Sequence, residues 1–307
     1  MRVRAFVAAL AFLVPSLANA ATPLHLAPST PWVLDYAENS CRLIRHFGQG
    51  KDEVIFALES EAPGALDMMV VGRPMATILQ EVPARFLPLQ VKPLMGKPAV
   101  STDKHEPVVL WSSANRLLPD AVAAAVEAKD AARKAHPQIR PPAVSLAEQA
   151  ERRAQSQAFV AGTTAIEVDA RASRHVILDT GSLGEPIKAF NQCGRDSLRD
   201  WGVDPDLEDK IVRPVWAPNP SAWFSPADYP RDMLRTGEES VVKVRVLVDA
   251  TGRVTKCTTV SHFKEPEFNK ITCDKFTARA HFEPAELADG TKVPSYYVNK
   301  VIFRMAR

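Results

Sequence analysis

This chain lacks most of what would mark an enzyme or a nucleic-acid binder. It has no Gly-x-Ser-x-Gly elbow, no glycine-rich phosphate loop after a strand pattern, and no histidine placed beside a serine or cysteine that it could activate. It has no Cys-x-x-Cys, and its seven histidines are scattered without ligand spacing, so nothing points to a metal site. Excess charge is also missing. The formal net charge is +2, with lysines and arginines spread along the chain, which gives no strong pull toward nucleic acid or anionic lipid. Aromatic residues make up 7% and do not interleave with basic ones, so no platform for single strands is expected. Beyond the N-terminus no apolar run approaches the roughly 20 residues that a spanning helix needs. No motif implies a cofactor or a small-molecule substrate.

What is present is a 46% hydrophobic chain of 307 residues, enough for two globular domains. Its first 20 residues have the order of a signal peptide. Arg2 and Arg4 are followed by the apolar stretch AFVAALAFLVPSLA, and Ala18 and Ala20 place small residues two apart before Ala21. The expectation is export, with cleavage after Ala20 and a periplasmic mature protein; the alternative is that this stretch is kept as a membrane anchor. In an oxidising compartment four cysteines read as disulfides, and four allow three pairings. Position favours one of them. Cys257 falls on a strand pattern and Cys273 on a helix pattern that should pack on it, which leaves Cys41 to pair with Cys193.

Residues 21–211 read as an N-terminal α+β domain of unknown function, mostly β with added helices. WVLDYA, CRLIRHF, DEVIFALES and ALDMMVVG are short β-rich runs separated by turn residues, and Leu66, Met68 and Val70 alternate at period two. An antiparallel sheet or small barrel follows. PDAVAAAVEAKDAARKAHP is alanine-rich at helical spacing and stops at Pro137. Ser145 and Glu148 have the spacing of a capping box for a helix to about Phe159. TTAIEV and HVILDT read as strands, and Gly184 to Trp201 as a helix with Leu183, Ile187, Phe190, Cys193 and Leu198 largely on one face. Residues 212–227 belong to a stretch with five prolines between Val212 and Pro230, and read as an extended linker.

One motif invites a catalytic reading. Asp179-Thr180-Gly181-Ser182 after Val176-Ile177-Leu178 matches the strand end of aspartic proteases, where two carboxylates share a proton. No second Asp-Thr-Gly occurs, and the following residues read as a helix rather than a strand, so the plainer expectation is that Thr180 or Ser182 helps cap that helix. The four acidic residues from Asp204 to Asp209 lack the glycine and terminal glutamate of a calcium loop and read as a solvated loop.

The C-terminal residues 228–307 carry the strongest pattern. DYPRDMLRTGEE is followed by VVKVRVLVDATGRVTKCTTV, two strands joined at Asp249 to Gly252. Val242, Val244, Val246 and Val248 line one face, and Lys243, Arg245 and Leu247 the other, which implies one buried and one largely wet side. A helix from Pro266 to Ala280 can cover the buried side with Phe268, Ile271, Thr272 and Phe276, after which HFEPAELADGTKVP leads to a last alternating strand. This order, with Tyr229, Pro230, Gly237, Gly252, Arg253, Phe282, Pro284 and Phe303 at its punctuating positions, resembles the C-terminal domain of the TonB family.

The resemblance covers about a quarter of the chain and implies an α+β fold there: an antiparallel sheet packed on a helix, in the order strand-strand-helix-strand. It also implies a non-enzymatic role, in which an outer-membrane receptor or other envelope protein adds a short extended segment to the sheet edge, linked to transport across the outer membrane. Main-chain groups on an open edge supply such affinity. The last strand would offer that edge, with Tyr296, Tyr297, Val298, Val301 and Phe303 as its contact residues. Two copies could pair through the same edges as a homodimer. The alternatives are an aspartic-protease-like enzyme using Asp179, or an anchored energy transducer if the N-terminus is retained.

Overall fold

The structure is a computed structural model that describes residues 22–305 apart from 64, 102–104, 113–123, 125–127, 129–130, 132–134, 137, 171–174 and 261–265. The N-terminal signal and all but single positions of the alanine-rich helix expected before Pro137 lie outside the described residues. Among those described, no helix is long and apolar enough to cross a membrane.

The first half is built from β1 Leu24–Leu26, β2 Val33–Tyr36, β3 Cys41–Phe47, β4 Val54–Ala62, β5 Ala65–Val71, β6 Val82–Leu87, β7 Leu94–Val100 and β8 Pro107–Trp111. Helix α1 Leu146–Gly162, strands β9 Ala165–Val168 and β10 Val176–Leu178, and helix α2 Gly184–Asp200 follow. The ten strands form one sheet in the order β1-β10-β9-β6-β7-β8-β5-β4-β3-β2. The sheet curls until its first strand reaches β3: Pro28 bridges Phe47, and the Ser29 N–H donates to the His46 carbonyl at 2.9 Å. Period-two alternation dictates the inside of this curl. Leu43, Phe47, Phe56, Leu58, Met68, Val70 and Trp111 are all buried, each contributing roughly 1.5–3 kcal/mol if it is aliphatic or phenyl in size.

Helix α1 begins where the sequence places it, with the Ser145 hydroxyl accepting from the Glu148 N–H, and runs three residues beyond Phe159. Its Phe159 packs edge-on against Phe86 of β6. Helix α2 buries Ile187, Phe190, Cys193 and Leu198, the face expected from their spacing. Cys193 is bonded to Cys41, so α2 is tied to β3.

The second half contains α3 Pro205–Glu208, β11 Ile211–Arg213, α4 Arg231–Thr236, β12 Ser240–Val248, β13 Val254–Thr259, α5 Pro266–Arg279, β14 Ala285–Leu287, β15 Lys292–Val293 and β16 Ser295–Phe303. Two three-stranded sheets result, β13-β12-β16 and β11-β14-β15. Helix α5 covers the valine face of β12 with Phe268, Thr272 and Phe276, and Cys273 is bonded to Cys257 of β13. The acidic loop is ordered by its own chemistry: Asp204 accepts from the Asp206 N–H to cap α3, and Asp206 and Asp209 both pair with Arg195.

Two expectations are corrected. Residues 212–227 do not run as a free spacer, because Val212 and Arg213 belong to β11, and Val215, Ala217 and Trp223 are buried in the C-terminal core. Trp223 stacks edge-on with Phe276 and Phe282, so apolar residues between the prolines hold the segment down. The second correction concerns β12, whose charged face is not wet. Arg245 is 5% exposed and Leu247 is half-buried, because the N-terminal half covers that side of the sheet.

Candidate partner-binding edge

Strand β16 pairs with β12 along its whole length, from Ser240–Phe303 to Val248–Ser295. Among the described residues no strand pairs with its other side. The pairing shows which peptide groups face out. The Lys243 carbonyl accepts from the Val260 N–H and so points toward β13, which makes Lys243 and Lys300 a pair that exchanges no hydrogen bonds. Alternation then turns the N–H and C=O groups of Tyr296, Val298, Lys300 and Ile302 outward, while the odd-numbered residues bond to β12.

The side chains divide the same way. Tyr297, Val301 and Phe303 lie on the helix-facing side, where Tyr297 packs on Phe282, and Phe303 meets Tyr229 and Phe268. Tyr296 points to the opposite face, where its hydroxyl donates to the Pro63 carbonyl at 2.8 Å and its ring meets Trp201 edge-on. Burial, with Glu208 nearby, pushes that hydroxyl well above the usual tyrosine range. Val298 is half-buried, cross-strand from Arg245. These five side chains are thus mostly engaged within the protein, and what β16 offers outward is main chain, with Lys300 and Ile302 exposed beside it.

The punctuating residues shape the frame behind the edge. Pro230 caps α4, whose end is Gly237 at φ +82, and the Tyr229 hydroxyl donates to the Glu238 carbonyl. Gly252 is required twice over. Its φ is +86, and a Cβ there would lie 2.0 Å from the Phe282 carbonyl oxygen. The Phe282 N–H donates in turn to the Gly252 carbonyl, so the β12–β13 turn is seated against the strand that Pro284 leads into. Arg253 closes the turn through its main chain, donating to the Asp249 carboxylate, and its side chain is exposed.

Residues that the sequence reading did not single out hold this frame in place. Asp228, 7% exposed, receives Lys275 at 2.7 Å and Arg279 at 2.7 and 3.3 Å. The Lys275 contact first, then Arg279 and Ser225, hold its carboxyl far below the usual range. The only signal in the sequence was two cations four residues apart near the end of α5, where the helix dipole also favours them.

The face of the sheet beneath β16 is occupied by the N-terminal half. The Arg245 guanidinium lies 3.6 Å from the Trp201 ring centroid and donates to the Glu61 carbonyl at 3.1 Å, with longer contacts to Asn39. Burial lowers its pKa to about 10. Lys243 pairs with Glu61 at 3.0 Å and Asp67 at 3.1 Å. Burial opposes the Lys243 charge, but the two carboxylates outweigh it and raise its pKa, while burial raises that of Glu61. A second tie runs from Arg140 to Glu283, Glu286 and the Pro284 carbonyl.

Asp179, the catalytic candidate, sits at the end of β10 with a half-exposed carboxylate 3.5 Å from His25. The chain turns at Gly181, φ +63, and enters α2. Ser182 accepts from the Gly184 N–H at 3.3 Å and donates to the Ala161 carbonyl, which ties the start of α2 to the end of α1.

Residues 225–305 match the family described as the C-terminal part of the Gram-negative bacterial TonB protein. The C-terminal unit is therefore a TonB C-terminal domain, and the match leaves out the ten-stranded sheet that precedes it. No curated protein matches the chain.

Proposed function

We propose that this chain is a non-catalytic binding protein of the Gram-negative cell envelope, exported to the periplasm, whose β16 receives an extended segment of an outer-membrane partner. The observation that carries the reading is the nine-residue strand paired, among the described residues, on one side alone, in a domain of the TonB C-terminal type. An added strand would bond the outward peptide groups of Tyr296, Val298, Lys300 and Ile302. Because most β16 side chains are already engaged, affinity would come chiefly from main-chain hydrogen bonds, each worth roughly 0.5–1.5 kcal/mol net. The family of the domain supports a link to transport across the outer membrane.

The test uses the full chain. It should capture a protein from outer-membrane fractions, and amide exchange at Val298 and Ile302 should slow on capture. Val298→Pro removes one outward donor and should abolish capture, whereas Asp179→Asn should leave it intact. Capture unaffected by Val298→Pro, or lost with Asp179→Asn, would overturn the reading.

A further inference from the structure

The outward edge of β16 is not uniformly open. Beside its midpoint the Lys300 N–H, which faces away from β12, is already bonded to the side-chain oxygen of Asn299 at 2.7 Å. Asn299 is half-buried and lies opposite Val244, one of the residues wholly enclosed beneath α5. It stands on the helix-facing side and reaches round to the edge. On the other side of the strand, Lys300 is exposed and lies cross-strand from Lys243, whose charge is balanced by Glu61 and Asp67.

We propose that Asn299 is a gate that sets the specificity of the β16 edge. Its carbonyl oxygen takes the place that an added strand's carbonyl would occupy at Lys300, so casual pairing stops at the Tyr296 and Val298 peptide groups. A partner segment that has engaged those two must displace Asn299 before it can continue to Ile302. A second copy of this chain is the strand most often at hand, and it is turned away by the same residue on both edges. Its own Asn299 holds the acceptor position, so when two β16 edges meet the Lys300 N–H of each is already bonded and neither strand is offered a continuous ladder. The partner that passes is an extended peptide with a regular run of main-chain carbonyls and no cation facing Lys300. This inference rests on the strand-addition reading, and concerns which strands are admitted.

The experiment compares the full chain with Asn299→Thr and Asn299→Asp. Threonine keeps a good strand former but removes the carbonyl, whereas aspartate keeps an acceptor oxygen at the same reach. Amide exchange in the free protein should show the Lys300 N–H about five- to tenfold faster in Asn299→Thr than in wild type, the equivalent of losing one hydrogen bond, and restored in Asn299→Asp. Sedimentation at rising concentration should show self-association for Asn299→Thr only. Equal Lys300 exchange in all three proteins, or an Asn299→Thr protein that stays as monomeric as wild type, overturns the gate. Neither outcome bears on whether the wild-type chain captures an outer-membrane partner, so the two readings can fail separately.

Discussion

Replacing Arg245 by alanine should separate the two halves of the protein energetically. The guanidinium makes one well-placed hydrogen bond, to the Glu61 carbonyl at 3.1 Å, and two weaker ones to Asn39 at 3.4 and 3.5 Å. A hydrogen bond from a charged donor is worth roughly 1.5–3 kcal/mol, and a desolvated cation over an indole about 2 kcal/mol. Part of this is offset, because burial lowers the pKa to about 10 and so penalises the charge. Alanine also leaves a void beside Trp201 and an acceptor at Glu61 without its donor. The net expectation is a loss of about 3 kcal/mol, which for a chain of this size lowers the melting midpoint by roughly 6–12 °C. Arg245→Met, which refills the volume without a charge to bury, should lose only about 1 kcal/mol.

The assay is thermal and urea unfolding followed by tryptophan fluorescence, since Trp201 lies at the contact. Weakening the joint should also split the transition into two. An Arg245→Ala protein that unfolds within about 0.5 kcal/mol of wild type in one transition would refute the claim that this face is a structural joint.

Gly252 and Gly290 have nearly the same φ, +86 and +85, but only Gly252 has a carbonyl oxygen 2.0 Å from where a Cβ would stand. Gly252→Ala should therefore cost about 3 kcal/mol or more and Gly290→Ala only about 1 kcal/mol, as read by urea unfolding; equal costs would dismiss the close approach. The Cys41–Cys193 and Cys257–Cys273 bonds span 152 and 16 residues, so loop entropy predicts losses of about 5 and 3 kcal/mol for the respective double serine variants. Unfolding midpoints under non-reducing conditions check the order, and a larger loss for the shorter loop would count against it. The depressed Asp228 pKa means that its bound cations stabilise the fold fully above the unfolded value of about 3.9, with the contribution fading as pH falls toward the folded one. Asp228→Asn should cost about 2–3 kcal/mol at pH 7 and progressively less below pH 4, so that the two unfolding curves converge in acid; a gap independent of pH would remove the ion pairs as its cause.

The sequence by itself determined what depends on local spacing. Alternation placed Met68 and Val70 inside the N-terminal sheet and the four valines of β12 beneath a helix, while helical spacing chose the buried face of α2. Proximity in the predicted elements was enough to pair the cysteines. The punctuating glycines and aromatics were legible as a pattern, although why Gly252 and Phe282 go together emerged only from the 2.0 Å approach between them. Tertiary structure alone decided what becomes of polar residues, because a lysine or arginine on a strand reads the same whether water or another domain lies above it. Arg245 and Lys243 read as a wet face, yet they are the joint, since Trp201, Glu61 and Asp67 come to them from far along the chain. Likewise, that Val215 and Trp223 would bind a proline-rich stretch to the core depended on a surface that Phe276 and Phe282 create only once folded. The last strand was expected to offer an edge only through the resemblance of its domain to the TonB family; its outward groups, its engaged side chains and Asn299 at its centre are set by register, which only the paired strands define.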